Sequence, residues 1–344
     1  MSKSQNSLVS IIITNNNGLQ HIKECLPSIE NQTYQNIEVI IVDNNSSDGS
    51  ASFIKSNFPK IKLLRSKDNL GYAAGNNKGF EESKGEYILI LNNDTILDSN
   101  LVEKLLYSIK KSPNVGAVQP KIKLQYDESL LDSCGSFWTS TGINYHIGNY
   151  KSESLDIYNK PFYVYSLKGV CMLIPRKVIE VTGLFDEKFW CYFEETDFCH
   201  RVWLSGFKCL YDPCTSVIHA LGGTSLKKRQ GMIQFHSFKN RFRSYLKNLG
   251  YIEMLKVVPV YVLLSLIWSI YYLLSNNLDC TIAIYKAYVW NIIHMKDTLI
   301  QRKHIQQTIR ATSDEEIFSI VKKNPQLDYY LKLVLGLQKY SDNL

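Results

Sequence analysis

Two clusters in this chain have the residue types and spacing to do chemistry. The first is Asn92-Asn93-Asp94-Thr95, which closes an apolar run over 87–91. A carboxylate flanked by amides and a hydroxyl, at the end of a buried strand, suits a hard divalent cation that keeps waters and also holds a phosphate. A turn in which Asp94 or Thr95 caps the next helix uses the same residues more plainly. The second is Glu194-Glu195-Thr196-Asp197, which follows the aromatic run 189–193 and opens a helical pattern. The helix dipole favours ionised carboxylates in a first turn. A base that takes a proton from a hydroxyl must be ionised, within reach and partly shielded from water, and the aromatic residues supply the shielding. Asp197 and Arg201 stand at i, i+4 with the acid N-terminal, so an internal ion pair competes with a chemical role for those two. Farther on, His219 precedes Gly222-Gly223-Thr224-Ser225 and Lys227-Lys228-Arg229. A lone histidine is usually structural; this one opens a segment of hydroxyls and cations suited to closing over a diphosphate.

Side chains this far apart need a frame that brings them together. The β-branched run 8–14 reads as a strand buried on both faces. Asn15-Asn16-Asn17-Gly18 breaks it, and apolar residues at helical spacing predict a helix over 19–31. A second strand over 37–42 ends in Asp43-Asn44-Asn45, and Ser47 or Asp48 can cap the helix that follows. A short strand over 61–64, a helix entered through 69–77 and the strand over 87–91 complete a βαβαβ pattern, hence a parallel sheet with crossovers. Parallel strands share a direction, so their polar loops line one edge, and Asp43 and Asp94 face one cleft although 94 − 43 = 51 positions separate them. The loops lack the glycine patterns of dinucleotide enzymes and P-loop proteins, so neither hydride transfer nor ATP hydrolysis is expected. Beyond lie a helix over 99–112, short strands over 115–118 and 122–124, an irregular stretch over 126–160, strands around Lys168-Gly169 and a strand over 208–211.

The chain has 344 residues, enough for one large domain or a domain with an appendage, and its net charge of +7 is unevenly spread. Residues 221–310 hold 13 Lys/Arg and 3 Asp/Glu, a local excess of 13 − 3 = +10 that points to an anionic partner. Residues 231–250 form a basic helical pattern, and 257–278 carry no charge. Such a run is long enough to span a bilayer, yet cations flank both ends, against the positive-inside tendency. Helices lying in or dipping into the cytoplasmic leaflet are therefore expected, with Tyr261, Trp268, Tyr271, Tyr272 and Trp290 at the interface. A soluble helical appendage or homo-oligomer interface is the alternative. No nucleic-acid partner is expected, because tracking phosphates requires cations interleaved along the surface. The eight scattered cysteines suit reduced thiols, and the first ten residues have no secretory pattern.

Six ordered blocks, VSIIITNNNG, VDNNSSDGS, NLGYAAGNN, LNNDT, GLFDEKFWCYFEETDFCHRVWLSG and VIHALGGTS, together resemble family 2 glycosyltransferases over about residues 8–245. Within the family the rhamnosyltransferase-like branch, which builds cell-surface polysaccharides, is the nearest in pattern. The resemblance implies a GT-A fold: an α/β, Rossmann-like, mixed but mainly parallel sheet flanked by helices. The catalytic domain would cover 1–230, with a nucleotide-sugar half to about 98, and a membrane-associated helical region would cover 231–344. It implies that Thr14, Asn15, Asn17, Asn69, Gly71, Asn92 and Asn93 line the donor site and that Asp43 reads the base. Asp94 and His219 would bind Mg²⁺ or Mn²⁺, and Glu195 would be the catalytic base. Gly169, Glu194, Asp197, Arg201, Ser225, Lys228 and Arg229 would serve the acceptor or the diphosphate. Three departures stand out: Asn16 where an aromatic residue is usual, Asn92 at the first acidic position of the metal motif, and Glu195 in place of Asp.

The implied reaction is a single displacement with inversion, from a UDP- or dTDP-sugar to a hydroxyl of a glycan or lipid-linked acceptor at the cytoplasmic membrane surface. A sugar nucleotidyltransferase would need a basic Gly-rich loop after the first strand, where only Lys23 is found. An inert scaffold would explain Asn16 and Asn92.

Overall fold

The computed structural model describes residues 7–221 and 230–334. The first half alternates as expected: β1 (Val9–Asn15), α1 (Leu19–Glu30), β2 (Ile37–Asn44), α2 (Ser50–Asn57), β3 (Lys62–Ser66), α3 (Gly71–Glu81) and β4 (Tyr87–Asn92). Then come β5 (Thr95–Leu97), α4 (Leu101–Lys111), β6 (Val115–Leu124), β7 (Asp127–Ser133) and a small hairpin, β8 (Ser136–Phe137) with β9 (Tyr145–His146). Strands β10 (Phe162–Tyr163) and β11 (Cys171–Pro175) precede α5 (Arg176–Thr182), α6 (Glu194–Leu204) and β12 (Lys208–His219). The remainder is helical: α7 (Gln230–Asn248), α8 (Tyr251–Leu274), α9 (Leu278–Ile293), α10 (Met295–His304), α11 (Asp314–Val321) and α12 (Leu327–Val334).

One sheet runs β3-β2-β1-β4-β11-β6-β12-β10. Its β3-β2-β1-β4 half is parallel, β11 is antiparallel to both neighbours, and β6 pairs in parallel with β12. The central strands are buried along nearly their whole length, which explains why they read as uninterrupted Ile, Leu and Val rather than as an alternation. Asp48 caps two helices at once, accepting from Ser50 N (3.0 Å) and Leu19 N (2.8 Å). The two short strands expected over 115–124 are one ten-residue strand running through Pro120. The strand expected over 208–211 extends to His219, with an irregular register between Tyr211 and Ser216. The stretch 126–160 holds β7, β8 and β9.

The C-terminal helices share a core with the sheet. Trp138, Tyr165 and Ile174 belong to one buried cluster with Tyr245, Tyr261, Trp268 and Phe318. Tyr261 and Trp268, expected at a membrane interface, are instead buried, because α8 turns its aromatic face inward against Phe238 and Tyr245. The basic pattern of α7 also turns inward. Arg243 pairs with Asp186 (2.8 Å) and Asp297 (2.7 Å), and Lys247 pairs with Asp186 (2.6 Å) and Asp197 (3.2 Å). Part of the cationic excess is thus spent inside the protein. The outward face of α8 and α9 remains apolar and exposed through Leu263, Ile267, Ile270, Ile282, Val289 and Ile292.

Candidate active site

At the carboxyl edge of β1 and β4, a cavity of about 270 Å³ is lined by Thr14, Asn15, Asn16, Asn44, Asn69, Gly71, Tyr72 and Asn93 on one side. Trp190, Cys191 and Tyr192 form the opposite wall. Asn93 donates to Asn15 Oδ1 (2.7 Å), which joins the loops after β4 and β1. Asn69 Oδ1 accepts from Gly71 N (2.9 Å) and so caps the start of α3. Gly71 has φ +76°, and a Cβ there would stand 2.5 Å from the Trp190 carbonyl oxygen, so glycine is required for the two walls to meet. Five residues expected at the donor site, Thr14, Asn15, Asn69, Gly71 and Asn93, therefore line this cavity. Three others stand off its walls. Asp43 is fully buried, 3.4 Å from Asn15 Nδ2 and 3.6 Å from Arg65 Nε. Asn17 ties its loop to Ser46 and Ser47. Asn92 ends β4, its amide bonded to Val170 O (2.9 Å) and its carbonyl to Thr95 Oγ1 (2.7 Å).

Just past β4, sheet register brings Asp94 and His219 together. Strand β12 pairs with β5 so that His219 lies opposite Thr95, and His219 Nε2 is 3.4 Å from Asp94 Oδ1. The other ring nitrogen is 2.9 Å from Asp132 Oδ2, and Asp132 in turn lies 3.9 Å from Lys168 Nζ. Burial opposes a charge on this imidazole, but hydrogen bonds to Asp132 and Asp94 outweigh it and raise its pKa to about 9. Burial also works against ionisation of Asp132, and Lys168 and His219 more than offset it, holding that carboxyl below its ordinary range. Asp132 escaped the sequence reading because β7 lies in the stretch judged irregular. A carboxylate behind a metal-ligating histidine fixes the ring and raises its basicity. If His219 ligates a divalent ion, Asp132→Asn should weaken Mn²⁺ binding by roughly 10- to 100-fold, read by calorimetry on the folded variant. Unchanged affinity would remove Asp132 from the site.

The acid cluster enters from the other wall. Glu194 is buried and Glu195 half-buried at the start of α6. The Tyr72 hydroxyl donates to Gly169 O (2.5 Å) and lies within electrostatic reach of Glu194, Glu195 and Asp94. A Cβ on Gly169 would stand 3.6 Å from Glu195 Cβ, so Gly169 is beside the acids. Burial raises the pKa of both glutamates, and the Glu195 charge adds to the rise at Glu194; Lys168 partly counters it at Glu195.

The loop feeding α6 is strained: Trp190, Tyr192 and Phe193 have φ of 66°, 68° and 71°. Such conformations persist only where surroundings enforce them. Here Trp190 O accepts from Tyr72 N (2.7 Å) and Ala73 N (3.1 Å). Asn240 Nδ2, from α7, lies 3.0, 2.8 and 2.6 Å from the carbonyls of Phe189, Cys191 and Tyr192. Lys239 donates to Lys188 O (2.7 Å). None of these α7 contacts had a sequence signal beyond a polar residue on a helix.

Asp197 and Arg201, expected on the acceptor side, are structural. Asp197 is fully buried against Arg201, Lys247 and Asn248, and Arg201 donates to the carbonyls of Thr182, Gly183 and Leu184. The pair is buried in the α7 interface, where Lys247 and Asn248 join Arg201 on the carboxylate. Ser225, Lys228 and Arg229 lie outside the described residues.

A mainly parallel sheet with a polar cleft at its carboxyl edge, a carboxylate–imidazole pair and an acid-headed helix places a candidate site where open α/β folds bind their ligands. The model of glycosyl transferase family 2 matches residues 10–180, and the chain belongs to that family. It is 26% identical over 225 residues to the N-acetylglucosaminyl-diphospho-decaprenol L-rhamnosyltransferase of Mycobacterium tuberculosis, covering 58% of this chain and 71% of that one. It superposes on the mannosyltransferase from Pyrobaculum calidifontis in complex with GDP-Man and Mn²⁺ with a TM-score of 0.53 at 17% identity, covering 84% of this chain and 76% of that one. The UDP complex of TarS from S. aureus gives a TM-score of 0.51 at 15% identity, covering 72% and 68%. These structural likenesses show the GT-A-type fold.

Proposed function

We propose that the chain transfers a sugar from a UDP- or dTDP-sugar, with inversion, to a hydroxyl of a lipid-linked glycan in cell-surface polysaccharide assembly. The observation that carries this reading is proximity: Tyr72, in the lining of the asparagine-rich cavity, lies within electrostatic reach of Glu194, Glu195 and Asp94, and Asp94 faces His219 at 3.4 Å. The mycobacterial relative supports the acceptor, since its name gives a diphospho-decaprenol substrate.

Asp94 and His219 fit a divalent ion that takes its remaining ligands from phosphates and water, because an oxygen and an imidazole nitrogen face each other with Asp132 behind. Among the described residues no group of three His, Cys, Asp or Glu side chains forms a metal-binding cluster, so the proposed ion would take its remaining ligands from the substrate and water. Mg²⁺ or Mn²⁺ bound there would stabilise the negative charge of a departing diphosphate. Glu195 takes the proton of the acceptor hydroxyl; burial raises its pKa, and Lys168 and backbone amides at the helix start partly counter that rise. Asn15, Asn69 and Asn93 hold the nucleotide side, and the Trp190–Tyr192 wall excludes water from it. Incubation of the purified chain with UDP- and dTDP-sugars and polyprenyl-diphosphate-linked acceptors tests the reading. An extended glycan with inverted anomeric configuration is expected; a retained configuration overturns the single displacement.

The same reading places the chain on a membrane through the α8–α9 hairpin. Helix α8 has the length and composition to cross a bilayer, and exposed leucine and isoleucine run along both helices. Flotation with vesicles is expected for the wild type and lost in a Leu263→Glu, Ile267→Glu, Ile282→Glu variant. Equal flotation of both would exclude this face as the contact.

A further inference from the structure

Helix α7 carries four cations over 239–247, and three of them are satisfied inside the protein. Lys239 donates to backbone carbonyls, and Arg243 and Lys247 pair with Asp186, Asp197 and Asp297. Arg241 projects from another side of the helix and differs. Its guanidinium packs 5.1 Å over Phe193 and 5.9 Å over Tyr261. Its Nε is buried and makes no hydrogen bond, the Tyr261 hydroxyl is the side-chain partner of the guanidinium, and among the described residues no carboxylate pairs with it. A guanidinium held against aromatic rings without a counter-ion is costly unless an anion arrives.

Its position says which anion. Phe193 directly precedes Glu194 and Glu195, so Arg241 packs on the residue that leads into the acid cluster. On the neighbouring side is Lys168, partly exposed at 37%, its backbone amide fixed by buried Gln119 (2.6 Å). His146 lies within electrostatic reach of both cations, and its amide bonds to the Tyr329 hydroxyl, which itself interacts with Arg241. Tyr261, under the guanidinium, belongs to α8, whose outer face exposes Val260, Leu263 and Ile267. Cations thus sit between the acids and an apolar helix, the order in which a sugar, a phosphate and a hydrocarbon chain follow one another in a lipid-linked glycan.

We infer that Arg241 and Lys168 form an anion site for the phosphate or diphosphate of a lipid-linked acceptor, separate from the donor cavity. This inference rests on the proposed glycosyl transfer to a lipid-linked acceptor and names the part of the acceptor that is held. The donor's own diphosphate and free phosphate share the chemistry, so the experiment separates the three sources.

Binding of farnesyl diphosphate, farnesol, inorganic pyrophosphate and UDP with Mn²⁺ is measured on the full chain in detergent, for wild type, Arg241→Gln, Arg241→Lys and Lys168→Gln. A charge-assisted contact predicts that Arg241→Gln and Lys168→Gln each weaken farnesyl diphosphate by roughly 10- to 100-fold. Arg241→Lys should restore part of that affinity, farnesol should be unaffected, and UDP binding should survive in Arg241→Gln. Pyrophosphate bound as tightly as farnesyl diphosphate, and lost in the same variants, overturns the lipid assignment. An equal loss of UDP in a folded Arg241→Gln overturns it in favour of the donor's diphosphate, and unchanged farnesyl diphosphate binding overturns the site itself. Wild type that binds UDP but not farnesyl diphosphate also refutes this inference while leaving the transferase reading intact. Wild type that fails to bind UDP refutes the transferase reading instead.

Discussion

Glu195→Gln should lower turnover by roughly 10²- to 10⁴-fold, the range that a positioned general base supplies, while donor binding stays near wild type. The amide keeps the size and the position at the start of α6 but cannot accept the acceptor's proton. The pH profile gives a second reading of the same residue. Burial pushes both glutamates up, and the Glu195 charge adds to the rise at Glu194. Activity that depends on ionised Glu195 should therefore fall as pH drops through a value above the ordinary glutamate range. Stability should move the other way. Between the unfolded and the raised folded pKa the native state binds more protons than the unfolded chain, so this pair's contribution to stability rises as pH falls. The paired acids Asp186 and Asp197 have lowered values and act oppositely at still lower pH. The difference between wild type and Glu194→Gln in pH-dependent melting isolates the glutamates. A flat difference, or full turnover in Glu195→Gln, would refute the assignment.

Asn240→Ala should be damaging in two separable ways. Asn240 is fully buried, and its amide lies within hydrogen-bond distance of three carbonyls in the 189–192 loop. Leaving buried carbonyls unpaired costs about 1–3 kcal/mol each, so melting should fall by several degrees. The same carbonyls belong to the left-handed segment that aims Glu194 and Glu195 and forms one wall of the donor cavity. Misplacement of about 1 Å costs on the order of 10²-fold in rate, so kcat should drop well beyond what the residual folded fraction explains. Asn291→Ala is the control. That side chain is equally buried and bonds to Lys239 O (3.1 Å) and Ala287 O (2.9 Å), neither of them a carbonyl of the loop itself. It should lose comparable stability and keep its turnover. Equal kinetic losses in both variants would reduce Asn240 to a general packing residue.

The β3-β2-β1-β4 half of the sheet was legible because each strand is an unbroken apolar run and each loop a polar break, a pattern that sheet topology turns directly into a cleft. The Asp94–His219 pairing was legible only through family resemblance, since it depends on β5–β12 register across more than a hundred residues. Asp132 was missed for a related reason: β7 is exposed at one end and buried at the other, so it lacks the periodicity that announces a strand. Asp197 and Arg201 carried the right spacing for an ion pair, and nothing local revealed that Lys247 and Asn248 would come from α7 to complete it. The inward turn of the α7 cations has the same origin, because a basic stripe looks alike whether it meets lipid or buried acids. Aromatic residues on α8 misled for a physical reason too, as tyrosine and tryptophan serve cores and interfaces equally well.

The most direct test of the central claim is thermal stabilisation by UDP and by dTDP, each with and without Mn²⁺, on wild type and Asp94→Ala. A ligand that binds only the folded chain raises Tm by mass action. The account predicts a shift with one or both nucleotides in wild type, larger with Mn²⁺, whose metal-dependent part disappears in Asp94→Ala. The nucleotide giving the larger shift names the base. No shift with either nucleotide in a folded sample would contradict the donor site, and a metal-dependent shift that persists in Asp94→Ala would contradict the role given to Asp94.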